Sequence, residues 1–317
     1  MNPLRLLKRK LGDKVRAIAQ AEARAAVSAA MPLMQRIADF ATSPPEQRQS
    51  AHDLTKNPRA NAALYQELRV GLEATGVPVQ EYSIDAAEFA TWLKDHPEME
   101  EHNRALGDVR VEKSLEHYLS HSVLRPQPGQ TYIDVAASKS PYASHLRARG
   151  IEAYRLDLSF PPGRHGFDLG VDATSTGLPD GFAHCMALHC ALECFAGDAD
   201  IRFFAEAARL LKPGGKCVIV PLYVGETHSV TSSPYCQDGA TPETADPEGI
   251  FLWRDDQYHV PFSRCYSPES FALRIHAALP AGVSASVRFA DNLVELMDIH
   301  AGMRMYCFFQ YVVEKHA

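Results

Sequence analysis

The chain has 317 residues, of which 46% are hydrophobic and 22% charged, with a formal net charge of −7. That length suits one large domain or a core with an appendage, and the acidic balance excludes a general nucleic-acid binder, which needs a basic surface. Seven cysteines without a C-x-x-C pair exclude a secreted disulfide framework and point to reducing, cytoplasmic surroundings.

No apolar run approaches the roughly 18–20 residues that a membrane-spanning helix needs. The first residues, Met1-Asn2-Pro3-Leu4-Arg5, lack the apolar core of a signal peptide. In residues 1–40, Arg5, Lys8, Arg9, Lys10, Lys14, Arg16, Arg24 and Arg36 outnumber Asp13, Glu22 and Asp39. Leu4, Leu7 and Leu11 recur at helical spacing there, as do Val15 and Ile18. Two readings of this basic helix stand side by side: packing or oligomerisation against a partner subunit, or peripheral contact with an anionic membrane at its inner face.

Residues 41–59 are a polar break with Pro44, Pro45 and Pro58. A helix is expected over 60–74 on Leu64, Leu68 and Leu72, stopped by Gly76. A short extended piece follows over 77–82. Ser83 or Asp85 then caps a helix reaching Leu93, which Asp95-His96-Pro97 ends. A third helix is expected over 112–124.

From Thr131 the pattern changes to short apolar runs alternating with helices. Strands are expected at 132–135, 153–156, 169–171, 183–188 and 217–222, and helices at 142–149 and 200–211. This alternation predicts an α/β fold, a Rossmann-like doubly wound sheet with a helical N-terminal extension. Ligands of such sheets sit at the carboxyl ends of the strands, and Asp134, Asp157 and Asp172 all fall at such ends.

These elements resemble class I S-adenosylmethionine-dependent methyltransferases. The resemblance rests on Tyr132–Ser140, on Asp157, on Asp172-Ala173 with Leu178-Pro179-Asp180-Gly181-Phe182, and on Leu188–Glu193. Its most specific part is Glu206-Ala207-Ala208-Arg209-Leu210-Leu211-Lys212-Pro213-Gly214-Gly215, close to the family phrase E-x-x-R-v-L-K-P-G-G. The resemblance implies S-adenosylmethionine as cofactor, held by Asp134, Ala136, Ser138, Asp157, Asp172, Ala173 and His189. Asp157 would accept the ribose hydroxyls and Asp172 the adenine amino group. His189 would be the general base for a hydroxyl acceptor, or merely a lining residue.

The sequence departs from the family at its first loop, Ala136-Ala137-Ser138-Lys139-Ser140-Pro141, which has no glycine. Alanine and serine tolerate positive φ poorly, so the loop is expected to bend differently or to hold the cofactor farther out. A non-catalytic scaffold subunit with this fold is the alternative reading. A nicotinamide-dependent enzyme is disfavoured, because G-x-G-x-x-G is missing.

Residues 225–263 are a long polar insertion, read as a lid over a small-molecule or glycan acceptor. His228, Tyr235, Asp255, His259, Arg264 and Tyr266 are the candidate acceptor contacts. A divalent ion on His228, Asp255, Asp256 or His259 is a minor alternative that the resemblance allows, since some sugar methyltransferases use one, whereas zinc on His189, Cys190 and Cys194 lacks further ligands at short spacing. Ser267 and Pro268 open a further helix, and 285–289 with 305–313 are expected to close the sheet. The expected organisation is 1–43, a basic helix; 44–111, a helical accessory region; and 112–317, the methyltransferase-like domain.

Overall fold

The computed structural model describes residues 22, 30–49, 53–256 and 259–316. The basic amphipathic stretch of residues 1–29 lies, apart from Glu22, outside the described residues.

Thirteen strands follow one another in the described chain: Arg48–Gln49 (β1), Val79–Tyr82 (β2), Thr131–Val135 (β3), Glu152–Leu156 (β4), Gly163–His165 (β5), Asp168–Gly170 (β6), Ala183–His189 (β7), Leu211–Val220 (β8), Ser229–Ser232 (β9), Ile250–Arg254 (β10), Ser263–Cys265 (β11), Val283–Ala290 (β12) and Phe309–Lys315 (β13). Nine of them form one sheet in the order β2-β12-β13-β8-β7-β3-β4-β6-β5. The centre, β8-β7-β3-β4-β6, is parallel. The pairs β12/β13 and β13/β8 are antiparallel and close one edge. Central β3 is buried along its whole length, as a strand covered on both faces must be.

The described helices are residues 30–42 (α1), Ala62–Ala74 (α2), Ala86–Asp95 (α3), Pro97–Asn103 (α4), Arg110–Leu124 (α5), Tyr142–Ala148 (α6), Ala199–Leu210 (α7), Pro268–Phe271 (α8) and Leu293–Ile299 (α9). None of the described helices is long and apolar enough to cross a membrane. Asp85 caps α3 by accepting from the Ala87 and Glu88 amides, and Ser267 with Ser270 forms a capping box on α8.

Helix α3 ends at Asp95, as the Asp95-His96-Pro97 stop predicts, and Pro97 at once stands at the first position of α4, where its missing N–H costs nothing. Two expectations change. Pro213-Gly214-Gly215 does not separate a helix from a strand. It bulges inside β8, with a register shift opposite Ala183 and Cys185. A Cβ on Gly215 would lie 2.8 Å from the Lys212 carbonyl oxygen and 2.9 Å from that of His184, so only glycine fits the close approach. The helical accessory region is also continuous with the core. Its β2 pairs with β12, and Tyr65, Leu68, Leu72, Phe89 and Trp92 belong to the main apolar cluster.

The insertion 225–263 is not an irregular lid. Its strands β9 and β10, with β11 and with β1 from the N-terminal region, form a second sheet of order β1-β10-β9-β11. Helix α1 is pinned to it by Arg36, whose guanidinium donates to the Gly239, Ala240 and Ser233 carbonyls and to Ser232 Oγ.

Candidate active site

The carboxyl ends of β3, β4 and β6 frame a cavity of about 380 Å³. Ala136, Asp157, Asp172 and Ala173 line it, as do Leu158 and Ala191. Four of the seven expected cofactor residues thus meet in one cavity. Asp157 Oδ2 accepts from the Ser138 amide and Oδ1 from the Ser159 amide, each at 2.8 Å. Each oxygen has a second lone pair for a further donor. Asp172 Oδ1 accepts from the Thr174 amide at 2.8 Å, which fixes the turn after β6. The alanines leave room, and Leu158, 77% exposed, offers an apolar wall that the protein alone does not cover.

The loop does not bend away as its residues suggest. Ala136 and Ser138 adopt φ of 55° and 46°, the left-handed conformation that glycine would take freely. Three bonds hold it there: Ala137 N to Leu156 O, Ser138 N to Asp157 Oδ2 and Ser140 N to Ala137 O. Left-handed backbone costs a non-glycine residue roughly 1–2 kcal/mol. Glycine adds unfolded-state entropy worth about 0.4–1 kcal/mol. Ala136→Gly and Ser138→Gly are therefore each expected to stabilise the protein by roughly 0.5 kcal/mol. Ala137→Gly, at ordinary φ, is expected to destabilise it by a similar amount. Urea midpoints of the three variants check this, and the same sign at all three positions would contradict it.

Asp134 and His189 do not reach the cavity. Asp134 is 1% exposed, beneath the loop, and burial raises its carboxyl to about 6. Its Oδ1 lies 3.3 Å from His189 Nδ1. His189 Nε2 lies 2.8 Å from Ser120 Oγ of α5. The His189 ring also stacks on His117, with centroids 4.0 Å apart and planes at 18°. Both nitrogens of His189 are thus engaged inside the fold, and burial pushes its pKa down to about 3. These contacts order the end of β7. His117, Asp134 and His189 place potential ligand atoms within 4.8 Å of one another. The parallel rings nevertheless direct their lone pairs side by side, so both cannot meet one ion at about 2.0–2.1 Å.

Three of the six expected acceptor contacts, His228, Arg264 and Tyr266, meet in one buried cluster around Asp246 and Asp200, and the other three lie apart from it. Arg264 and Tyr266 are 0% and 1% exposed. They bond Asp200 on α7, where they join the second sheet to the core. His228 is held between Asp246 and Ser270 Oγ. Tyr235 and His259 lie against each other, at the surface of the second sheet. Asp255 is exposed, while Asp256 pairs with Arg254. Sequence alone shows the polar character of these residues but not the long-range pairs that satisfy it.

A second polar group joins the stretch after β7 to Lys113 and Glu116, which went unpredicted because they sit on α5, whose spacing reads as an ordinary amphipathic helix. Lys113 donates to Glu116 at 2.5 Å. Cys190 Sγ lies 3.4 Å from Glu193 Oε1 and 3.2 Å from Tyr223 Oη. Glu116 is 1% exposed and Glu193 7%, and burial raises both carboxyls, Glu116 to about 8. Glu193 Oε2 is buried without a hydrogen-bond partner among the described residues. The signal available in the sequence was Glu112-Lys113 with Glu116 one turn on, a charged run on the helix just before β3.

Residues 133–219, from β3 to β8, match the family model described as "Methyltransferase domain". No curated protein matches the sequence. Solved structures similar to it include a 1,6-didemethyltoxoflavin-N1-methyltransferase of Burkholderia thailandensis with bound 1,6-didemethyltoxoflavin and S-adenosylhomocysteine (15% identity, 76% of this chain and 94% of that chain, TM-score 0.41). A SAM-dependent methyltransferase from Archaeoglobus fulgidus is 11% identical over 64% of this chain and 94% of its own, with a TM-score of 0.36. The [4+2]-cyclase SpnF is 16% identical over 63% of this chain and 80% of its own, also with a TM-score of 0.36. The segment from β3 to β8 thus has the sequence pattern and the Rossmann-like fold of a methyltransferase domain.

Proposed function

We propose that this methyltransferase-type domain binds S-adenosylmethionine in the cavity at the ends of β3, β4 and β6, and transfers its methyl group to an oxygen of a small acceptor. The observation that carries the reading is the meeting of Ala136, Asp157, Asp172 and Ala173 in that one cavity. When bound, the cofactor supplies an electrophilic methyl group on a sulfonium. Asp157 would take the ribose hydroxyls on the lone pairs that Ser138 and Ser159 leave open. Asp172 and Ala173 would face the adenine, with Leu158 against its plane. The amides of the Ala136–Ser140 loop, ahead of α6, would meet the carboxylate. The protein's own share of catalysis is alignment of the two reactants and exclusion of water.

The strained loop favours this reading over a scaffold that has lost the site. Left-handed alanine and serine persist only where surrounding contacts impose them, and such strain concentrates at ligand clamps. A glycan acceptor and a peripheral membrane or oligomeric contact through residues 1–40 remain proposals of the sequence.

Calorimetric titration tests the cofactor. Wild type should bind S-adenosylmethionine and S-adenosylhomocysteine but not NAD. Asp157→Ala is expected to weaken both at least about 100-fold, the loss of two charge-assisted hydrogen bonds of about 1.5–3 kcal/mol each. Its thermal unfolding should stay near wild type, because Asp157 is only half-buried. Unchanged affinity in that variant would sink the ribose assignment.

A further inference from the structure

Helix α1 is held to the second sheet by one face only. Arg36 reaches the Gly239 carbonyl and Ser232 Oγ, and Phe40 meets Trp253 edge-on, with ring centroids 6.4 Å apart. The opposite face is Ala30, Met31, Met34, Ile37, Ala38 and Ala41, all exposed, Met31 at 62% and Met34 at 64%. At about 100° per residue these six positions span about 120° of the helix with no polar side chain among them. An apolar stripe of that width ordinarily lies against a core. Here no described residue covers it, and such a patch on a surface marks an interaction site.

The charge and spacing of the stripe select its occupant. A helix that rests on an anionic bilayer flanks its apolar face with lysine and arginine. Arg36 is the only basic residue between 30 and 42, and it is turned inward. The exposed polar residues beside the stripe are Gln35, Asp39 and Thr42, and the cations from Arg5 to Arg24 all precede it in the sequence. A second copy of the chain fits better. Counted from Met34 the stripe is symmetric: Met31 and Ile37 stand three residues to either side, and Ala30 and Ala38 four. A two-fold axis at Met34 sets Met31 on Ile37 of the partner subunit and Ala30 on Ala38 of the partner subunit. The face is then complementary to itself, as an isologous interface requires. In the sequence the same spacing continues upstream through Val27, Ala26 and Ala23.

We propose that two copies of the chain associate through the outer faces of α1, packed antiparallel about a two-fold axis at Met34. The alanines let the helix axes approach closely, while Met31, Met34 and Ile37 fill the space between them. Antiparallel packing also sets the partial charges at opposite helix ends against each other. The face of one short helix is smaller than the roughly 800 Å² that each partner buries in a stable interface, so a dimer in the micromolar range is expected rather than an obligate one. The inference stands apart from the methyl-transfer reading, because α1 contributes no residue to the cavity at the ends of β3, β4 and β6.

Sedimentation equilibrium of the full chain, over about 1 to 100 μM, tests this. Wild type should pass from one chain mass toward twice that mass across the range. Met34→Glu sets two carboxylates against each other on the axis and should weaken the dimer at least about 100-fold. Its thermal unfolding should stay near wild type, because the side chain is exposed. Under mild oxidation Met34→Cys should form a disulfide between chains, and Met31→Cys should not, since the axis separates the two copies of residue 31. A wild type that keeps one chain mass at the highest concentration would overturn the proposal, as would a Met34→Glu variant that dimerises like wild type. Equal cross-linking at positions 31 and 34 would overturn the antiparallel pairing. Monomeric wild type that binds vesicles of equal parts phosphatidylglycerol and phosphatidylcholine, with Met34→Glu failing to bind, would overturn it in favour of a lipid surface.

Discussion

Replacing Arg264 by methionine should cost about 3–5 kcal/mol of stability, the range for breaking a buried ion pair from one side. The guanidinium is 0% exposed, and its donors are fully used. Nε and Nη2 donate to the two oxygens of Asp246 at 2.5 and 2.8 Å. Nη1 donates to Asp200 Oδ2 and Phe195 O, both at 2.7 Å, and Nη2 also to Gly197 O at 2.8 Å. Burial works against the Asp246 carboxylate, but Arg264 and His228 more than offset it and hold its pKa well below the usual range. Without Arg264, Asp246 would lie buried beside only a histidine, and Asp200 would keep Arg274 and Tyr266. The second sheet, joined to α7 by this arginine, should loosen first. Arg264→Lys should fall between wild type and Arg264→Met, since an ammonium has three donors and no fork. Adding Asp246→Asn to Arg264→Met should recover part of the loss. Denaturant midpoints provide the measurement, and a loss below about 1 kcal/mol, the worth of a surface pair, would contradict the account.

Stability should peak near pH 6.5 and fall by on the order of 3 kcal/mol by pH 4. Histidines held neutral in the fold are responsible, four of them with the largest shifts. Burial lowers His117 and His189 to about 3 and His96 and His121 to about 4. They are neutral in the fold, while the unfolded chain takes up their protons below about pH 6.5. Their contribution is complete above that pH and is lost as the pH falls toward the folded values. Four buried carboxyls work the other way. Burial raises Asp134 to about 6 and also raises Glu112, Glu116 and Glu193, so they hold protons that the unfolded chain has already released. Their contribution is present at low pH and is lost as the pH rises through their folded-state values. Near pH 5 the histidines outweigh the raised carboxyls, whose unfolded-state pKa values lie lower, so stability should fall as the pH is lowered there. His96→Phe should flatten that fall by about one proton, because His96 stacks on Trp92 and a ring can stay there. A stability profile flat from pH 4 to 6.5 would show that these imidazoles are not held neutral.

The framework was legible where local pattern and tertiary need agree. Strands β3, β4 and β7 are short apolar runs, and the Glu206–Gly215 phrase stands where the sequence places it. The acids at strand ends were legible too, yet only two of the three line the cavity. Asp134 is one residue short of the strand end, and in a strand with side chains alternating between faces that difference turns it inward to His189. The second sheet was invisible because β1 and β10, its paired strands, lie about 200 residues apart, and short polar strands carry little periodicity. The glycine-free loop misled for a related reason. Backbone strain at Ala136 and Ser138 is imposed by bonds from β4, which no local rule can anticipate.

The most direct test of the central claim is a crystal structure of the protein soaked with S-adenosylhomocysteine. The account predicts density in the cavity at the ends of β3, β4 and β6, with the ribose hydroxyls on Asp157 and the adenine beside Asp172, Ala173 and Leu158. An empty cavity at saturating ligand, or the ligand bound elsewhere, would contradict it.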